Sequence, residues 1–288
     1  MGKVVRLEPG KKGGAAKSAS SSARRRRRRS KTALVLGGGG FTGAVYEIGA
    51  LRALDLLSVN KTVNQFDVYV GTSAGSFVAS LTANGVTPEE MMRVVNQQVP
   101  TPFRDIDLGT LLRPNLMAWG RAAALMPLRA ARLAREMAGQ LGSVSAMDLV
   151  LGLAEGLPGG LYSGAGVERY IRAVLSDPDR TDDFRDLDPE LYLCATDLDT
   201  CERVVFGRED FDDVPISTAV RASTALPMVY EPARVRGREL VDGGIVSTTN
   251  VDVAVEAGAK FVVVVNPLVP YVNDFTHDVP TLFGSRPR

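Results

Sequence analysis

The stretch Val68-Tyr69-Val70-Gly71-Thr72-Ser73-Ala74-Gly75-Ser76-Phe77 decides the fold. A short apolar run of β type meets Gly-x-Ser-x-Gly, and a run of small residues compatible with a helix follows. This order is typical of a nucleophile elbow, a strand-to-helix turn that carries a serine hydroxyl at its tip. Gly71 and Gly75 relieve the crowding of so sharp a turn. The helix that follows directs its free N–H groups back toward the serine.

The pentapeptide alone is only suggestive. In a chain of 288 residues with 29 glycines, it is expected by chance roughly 0.2 times. A glycine-rich turn with a bystander serine is therefore the alternative. The strand before Ser73 and the small-residue helix after it favour the elbow.

A second glycine-rich turn precedes the elbow. A strand with a continuous apolar run, Thr32 to Leu36, leads into Gly37-Gly38-Gly39-Gly40-Phe41-Thr42-Gly43. The absence of a Gly-Lys-Ser/Thr ending excludes a Walker A loop, and no acidic residue follows at the position a dinucleotide site needs. Residues without side chains can instead aim several backbone N–H groups at one developing negative oxygen, as in an oxyanion hole. A helix is predicted from Ala44 to about Leu57.

The order strand, glycine loop, helix, strand, serine elbow, helix predicts a parallel α/β sheet. The elements predicted beyond it are a helix opened by Thr87-Pro88-Glu89-Glu90, strands at Leu191–Thr196 and Arg203–Phe206, a helix at Ile216–Ala222, a hairpin about Gly237 and a buried strand at Phe261–Val265. The returning hairpin strand ends at Asp242-Gly243-Gly244. This pattern places a carboxylate at a strand end beside a cleft, or else forms an ordinary Asp-Gly turn.

Residues 100–160 have a different composition, rich in Ala, Leu, Met and Arg, with breaks expected at Pro114, Pro127 and Pro158. One interpretation is a helical insertion that packs on the sheet. The other is a mobile cap whose apolar face, fringed by arginines, meets a lipid surface.

The net charge of +1 conceals an asymmetry, because residues 1–31 carry +11 and the remainder carries −10. The basic segment has almost nothing to bury and is predicted to be disordered. Three roles are open for this segment. It is a solvated leader, or an anchor to anionic lipids in which each basic residue contributes about 1 kcal/mol of binding, or a nonspecific binder of nucleic-acid phosphates. No aromatic residue lies among the arginines, so we do not expect a nucleic-acid partner.

The remaining composition excludes several classes of protein. Without a run of 18 apolar residues or an apolar leader core, the sequence favours neither a membrane span nor a secretory signal. Two cysteines and one histidine, His277, argue against a disulfide framework and a zinc site. A cytoplasmic location is the expectation.

Five segments together resemble the ordered motifs of the patatin-like phospholipases over residues 32–266. They are Gly38–Gly43, Gly71–Gly75, Ala195–Leu198, Arg221–Pro227 and Asp242–Gly244. The resemblance implies an α/β fold, a three-layer α/β/α arrangement with a mostly parallel central sheet. It also implies hydrolysis of acyl esters of phospholipids and other lipids without a metal or other cofactor.

The resemblance further implies a catalytic dyad of Ser73 and Asp242 with no third member. The oxyanion hole would consist of the glycine loop, Gly38, Gly39 and Gly40, together with Ala74. One position departs from the family, which usually has Arg or Lys where Thr42 stands here. This difference bears on headgroup preference and on the level of activity.

Side-chain chemistry is consistent with a dyad. An aspartate has a free pKa of about 3.9 and is a weak base, but direct contact with the hydroxyl and partial burial would raise its basicity. His277, in the Pro270–Pro280 segment predicted as a loop, has no motif around it.

Three hypotheses remain open at this point. The first is a lipid acyl hydrolase that uses Ser73 and Asp242. The second is an α/β-hydrolase with a Ser73–Asp242–His277 triad, whose chain order is allowed. The third is a non-catalytic lipid-surface protein, prompted by Thr42 and the basic tail.

The predicted organisation is a disordered basic tail at 1–31, a catalytic domain at 32–266 with a helical cap insertion at about 100–160, and a C-terminal loop segment at 267–288. The expected partner is a lipid or phospholipid substrate, with peripheral membrane contact through the tail and the cap. The sequence leaves the oligomeric state open.

Overall fold

The computed structural model describes residues 30–96, 113–138 and 159–268. The predicted tail therefore lies outside the described residues except for Ser30 and Lys31. The C-terminal segment lies outside them beyond Leu268, and His277 with it. Of the predicted cap insertion, residues 113–138 and 159–160 are described.

The described chain contains ten strands and seven α-helices. The strands are β1 (Lys31–Leu36), β2 (Val68–Thr72), β3 (Arg113–Pro114), β4 (Gly160–Ser163), β5 (Glu190–Asp197), β6 (Arg203–Phe206), β7 (Met228–Tyr230), β8 (Ala233–Val235), β9 (Arg238–Asp242) and β10 (Ala259–Val265). The helices are α1 (Gly40–Leu57), α2 (Ala74–Ala83), α3 (Pro88–Val95), α4 (Leu116–Ala138), α5 (Ala165–Leu175), α6 (Ile216–Ser223) and α7 (Val251–Glu256). The α3 helix begins with the predicted capping box of Thr87 and Glu90.

Seven strands form the central sheet, in the order β10-β1-β2-β5-β9-β8, with β6 also paired to β5. The four strands β10, β1, β2 and β5 are parallel to one another, whereas β6, β8 and β9 pair antiparallel. A small second sheet has the order β3-β4-β7. The sheet is therefore mixed around a parallel centre.

Alternate residues of β1 explain the three layers. Leu34 and Leu36 belong to the larger core, which packs against helices α1, α2, α5 and α6. Ala33 and Val35 belong to a smaller core on the opposite face, which includes Val253 of α7. A parallel strand covered on both faces reads as one continuous apolar run, as Ala33 to Leu36 does. The predicted α/β/α class is confirmed.

The register of β5 brings two distant chain segments together. Thr72, the last residue of β2, pairs with Cys194, and Asp242, the last residue of β9, pairs with the next residue, Ala195. Strand β6 occupies the other edge of β5 from Leu193 to Thr196. Strands β2 and β9 therefore lie along one edge of β5 and meet end to end, which places Ser73 beside Asp242.

Helix α1 begins at Gly40, four residues before the predicted start at Ala44. The N–H groups of the first helical turn have no partner inside a helix. The early start therefore places the amides of Gly40, Phe41 and Thr42 at the glycine loop. Glycine has a low helix propensity, which is why the sequence favoured a later start.

Two further expectations are corrected. Pro127 does not break the chain into two helices, because α4 continues through it despite the missing N–H. Strand β10 is present but only partly buried, since Phe261 is 59% and Val264 is 44% exposed, whereas Val265 is buried. Among the described strands, it lies at the edge of the sheet. Within the described residues, no helix has the length and apolar character needed to cross a bilayer.

Candidate active site

The serine elbow has the backbone that its sequence predicts. Ser73 has φ 54° and ψ −121°, in the half of backbone space that residues with side chains rarely adopt. A Cβ on Gly71 would lie 2.6 Å from the Gly75 carbonyl oxygen, and one on Gly75 would lie 2.3 Å from that of Leu36. Glycine is therefore required at both positions by the close approach of backbone, and this packing holds the turn at Ser73.

Ser73 and Asp242 are in direct contact. The Ser73 hydroxyl donates a hydrogen bond to Asp242 Oδ2 at 2.5 Å, and the Gly244 N–H donates to Asp242 Oδ1 at 2.7 Å. Both side chains are buried, with residue exposures of 8% and 4%. Burial raises the pKa of Asp242 above its usual value, against the smaller lowering effects of the bonds from Ser73 and Gly244. The carboxylate is thus a stronger base than a free aspartate and touches the proton it would remove.

The four predicted oxyanion-hole residues all line one cleft with Ser73 and Asp242. Their amides differ, however. The Gly38 N–H already donates to the Thr248 carbonyl oxygen at 2.9 Å. No hydrogen bond within the described chain engages the N–H groups of Gly39, Gly40 or Ala74. Gly38 therefore shapes the loop, and among the described residues nothing occupies the other three amides.

The cleft has a volume of about 510 Å³, within the usual range of small-molecule sites, about 300–1,000 Å³. Its walls are mostly apolar and include Phe41, Val45, Ile48, Phe77, Leu226 and Ile245. None of the described residues that line it is a lysine or an arginine. Thr42, at the family's usual cationic position, is exposed, and its hydroxyl donates to the Gly39 carbonyl at 3.5 Å.

Two further residues, Asn250 and Ser223, hold the elbow through hydrogen bonds. The sequence analysis identified neither of them as a site residue. Asn250 is fully buried and donates from Nδ2 to the Thr72 hydroxyl at 2.7 Å. Ser223 accepts the Ser73 N–H on its hydroxyl oxygen at 2.9 Å. Ser223 lies in the Arg221–Pro227 segment that carried part of the family resemblance, but its contact spans 150 positions of the chain. No local pattern could have revealed that partner.

Across residues 30–96, 113–138 and 159–268, no three His, Cys, Asp or Glu side chains cluster closely enough to hold a metal ion.

Beneath the glycine loop, α1 carries a buried acid. Glu47 is fully buried, and neither of its carboxyl oxygens has a hydrogen-bond partner among the described residues. The nearby Gly37 N–H, which slightly lowers the pKa of this acid, donates to the Val265 carbonyl instead. Burial is the larger effect and raises the pKa of Glu47 from 4.5 to about 9. The side chain is therefore a neutral acid at pH 7.

This acid makes stability depend on pH. Between the unfolded pKa and the raised folded pKa, the native state binds more protons than the unfolded state. The free energy of unfolding therefore falls as pH rises through that window. Because position 47 does not titrate in Glu47→Gln, the free energy of unfolding of this variant should gain roughly 4 kcal/mol relative to wild type when the pH changes from 5 to 8. Urea unfolding at both pH values measures this gain, with exposed Glu202→Gln as the control. An equal pH dependence in wild type and Glu47→Gln would contradict the assignment.

Comparison with known proteins places these features in a family. The family model of the patatin-like phospholipases matches residues 34–255. Among solved structures, VipD from Legionella pneumophila matches at 18% identity and a TM-score of 0.41, over 76% of this chain and 46% of its own. The type III effector ExoU matches at 22% identity and 0.37, over 67% of this chain and 40% of its own.

The full-length ExoU in complex with SpcU, from the type III secretion system of Pseudomonas aeruginosa, also matches. Its identity is 20% and its TM-score is 0.34, over 67% of this chain and 38% of its own. The chain thus spans less than half the length of these solved proteins. The family model covers both ends of the site, from β1 beside the glycine loop to α7 beyond Asp242. The chain therefore belongs to the patatin-like phospholipase family.

Proposed function

We propose that this chain is a serine lipid acyl hydrolase that works through an acyl-enzyme on Ser73, with Asp242 as its proton acceptor and donor. One observation carries the proposal. The Ser73 hydroxyl contacts the buried Asp242 carboxylate directly, at the base of an apolar cleft. Membership of the patatin-like phospholipase family supports a lipid ester as the substrate class.

In the acylation half, Asp242 removes the proton of Ser73 as Ser73 Oγ attacks the ester carbonyl carbon. The carbonyl oxygen becomes negative and accepts hydrogen bonds from the free amides of Gly39, Gly40 and Ala74. The C–O bond to the alcohol then breaks. Asp242 returns its proton to the departing alkoxide, which leaves as an alcohol and restores the carboxylate.

In the deacylation half, water takes the place of the alcohol. Asp242 accepts a proton from the water as its oxygen attacks the acyl carbon on Ser73. The same three amides hold the oxyanion again. Collapse of this intermediate breaks the bond to Ser73 Oγ, which regains a proton from Asp242, and the fatty acid is released.

The contact geometry supports a dyad over the Ser73–Asp242–His277 triad. In a triad the aspartate bonds the histidine and the histidine bonds the serine. Here Ser73 already occupies Oδ2 of Asp242, and the Gly244 amide occupies Oδ1. His277 lies outside the described residues, so the triad remains the second candidate, to be decided by mutation.

The cleft walls favour an acyl chain as the bound group. Burial of apolar surface contributes roughly 0.8 kcal/mol for each methylene. The described lining offers apolar side chains, with Asp242 as its one charged group. With Thr42 in place of a cation, the described residues of these walls offer no positive charge to a phosphate. We infer a preference for esters whose group near the scissile bond is uncharged.

A fluorophosphonate probe tests the proposal directly, because it forms a covalent bond only with an activated serine. We expect one adduct per chain, on the peptide that contains Ser73, formed more slowly when a neutral long-chain ester competes. An anionic phospholipid at the same concentration should compete less well. The heat-unfolded protein is the control and should not react. Failure of the folded protein to react would favour the non-catalytic lipid-surface protein.

A further inference from the structure

The hydroxyl of Ser223 is fully buried at the C-terminal end of α6. It donates to the Cys194 carbonyl oxygen at 2.5 Å and accepts the Ser73 N–H at 2.9 Å. Its oxygen also lies 2.6 Å from Ser76 Oγ. A serine hydroxyl has one hydrogen and two acceptor positions. Since that hydrogen is used on Cys194, Ser76 must donate, and every hydrogen-bonding position of Ser223 is filled.

This saturated hydroxyl acts on the most strained point of the site. A non-glycine residue at positive φ, such as Ser73, costs about 1–3 kcal/mol and persists only where its surroundings fix it. Ser223 fixes the Ser73 amide and ties it to Cys194 of β5. Cys194 is also the register partner of Thr72, the residue before the nucleophile. Two connections therefore fix the position of Ser73 relative to β5. One is the pairing of β2 with β5, and the other is the pair of hydrogen bonds that Ser223 makes.

The residues that follow Ser223 at the end of α6 also bond the backbone of the second member of the dyad, Asp242. The Asp242 N–H donates to the carbonyl oxygen of Ala225 at 3.0 Å, two residues beyond Ser223. The backbones of Ser73 and Asp242 therefore both bond to residues 223–225, while their side chains bond to each other. One short segment at the end of α6 sets the separation between two residues that are 169 positions apart in the chain.

We propose that residues 223–225 form an active-site bracket in which Ser223 is the positioning residue of the nucleophile. Ser223 touches no reacting atom in this scheme. It holds Ser73 Oγ at the distance and angle at which Asp242 can take its proton. The inference rests on the proposed hydrolase function for its kinetic consequence, but not for its structural one.

The kinetic test compares Ser223→Ala with Ser80→Ala. Ser80 is a matched control, because it is also a fully buried serine, on α2, and among the described residues its hydroxyl bonds only to the Phe77 carbonyl. A displaced nucleophile can cost about a hundredfold in rate. We expect kcat of Ser223→Ala on a soluble ester to fall roughly 10–100-fold with KM changed less than about threefold. Ser80→Ala should keep kcat within about threefold of wild type.

The structural test measures hydrogen exchange of the Ser73 amide by NMR and requires no activity. Exchange should be faster in Ser223→Ala than in wild type, and Ser80→Ala should leave it unchanged at matched distance from the melting temperature. Ser223→Cys, which keeps a side-chain donor and acceptor but weaker ones on a larger atom, should give intermediate exchange and intermediate kcat. This variant replaces Ser223→Ala if the alanine protein does not fold.

The amide-exchange and kinetic measurements distinguish failure of the bracket from failure of the proposed hydrolase function. An unchanged Ser73 amide exchange in the Ser223 variants would overturn the bracket, whatever the kinetics show. A wild-type protein without hydrolase activity, combined with faster exchange in Ser223→Ala, would refute the proposed function and leave the bracket standing. Equal kcat in Ser223→Ala and Ser80→Ala would refute the positioning role.

Discussion

Ser73→Ala should lower kcat/KM on a short-chain p-nitrophenyl ester by at least about ten-thousandfold, because the covalent path is lost and only binding and the oxyanion amides remain. The next hydroxyl along the chain, on Ser76, cannot substitute, since it is buried and bonded to Ser223. The assay uses monomeric substrate, so that lipid binding does not enter the comparison.

The fold of this variant should persist. Removing the hydroxyl leaves Asp242 Oδ2 without its donor, which costs about 1–3 kcal/mol. The far-ultraviolet circular dichroism spectrum should match that of wild type, and Ser80→Ala serves as the activity control. Turnover retained by purified Ser73→Ala would end the covalent-serine hypothesis.

Asp242→Asn should lose at least about a hundredfold in kcat, the low end of a general acid–base contribution. An amide nitrogen or oxygen in place of the carboxylate cannot take the Ser73 proton. His277→Ala, in contrast, should stay within a few-fold of wild type. The measurement is kcat and KM for both variants on one soluble ester.

The same residue should set the acid side of the pH profile. Only the carboxylate form of Asp242 accepts a proton, and burial raises the pKa of this group above its usual value of 3.8. Activity should therefore fall as pH decreases through that raised pKa, at a higher pH than an exposed aspartate would give. Asp242→Asn should lack this acid limb in its residual activity.

The result that would reverse the assignment is a collapse of His277→Ala to the level of Ser73→Ala, with the fold intact. That outcome would make His277 the proton carrier and Asp242 its orienting partner. The protein would then use triad chemistry, and the direct contact between Ser73 and Asp242 would represent a resting arrangement.

Features that depend only on residues adjacent in the chain could be predicted from the sequence. The elbow at Ser73, the capping box of α3 and the strand ending at Asp242 each depend on a few neighbouring side chains, and each is present in the structure. The sequence also predicted four oxyanion-hole residues, and all four line the cleft that holds Ser73 and Asp242. It could not show that the Gly38 amide is already engaged by Thr248, because that bond joins segments 210 positions apart.

Features that depend on long-range neighbours were missed for a physical reason. The apolar run of β10 looks like a buried strand, but apolar composition does not tell which strand ends at the sheet edge. Glycine at the start of α1 opposes helix propensity, and tertiary packing overrides it. The contact of Ser223 with Ser73 depends on the register of β5, which no local pattern encodes.

The end-to-end meeting of β2 and β9 on one edge of β5 has a consequence for refolding. Both strands pair with β5, so the contact between Ser73 and Asp242 is complete only after β2 and β9 have both docked on it. The Ser73–Asp242 contact closes a loop of 169 positions, and contacts of such sequence separation form slowly because chain closure precedes any gain in contact energy. Recovery of hydrolysis after dilution from denaturant should therefore lag behind the return of helical signal, which makes enzymatic turnover a reporter of the last step of assembly.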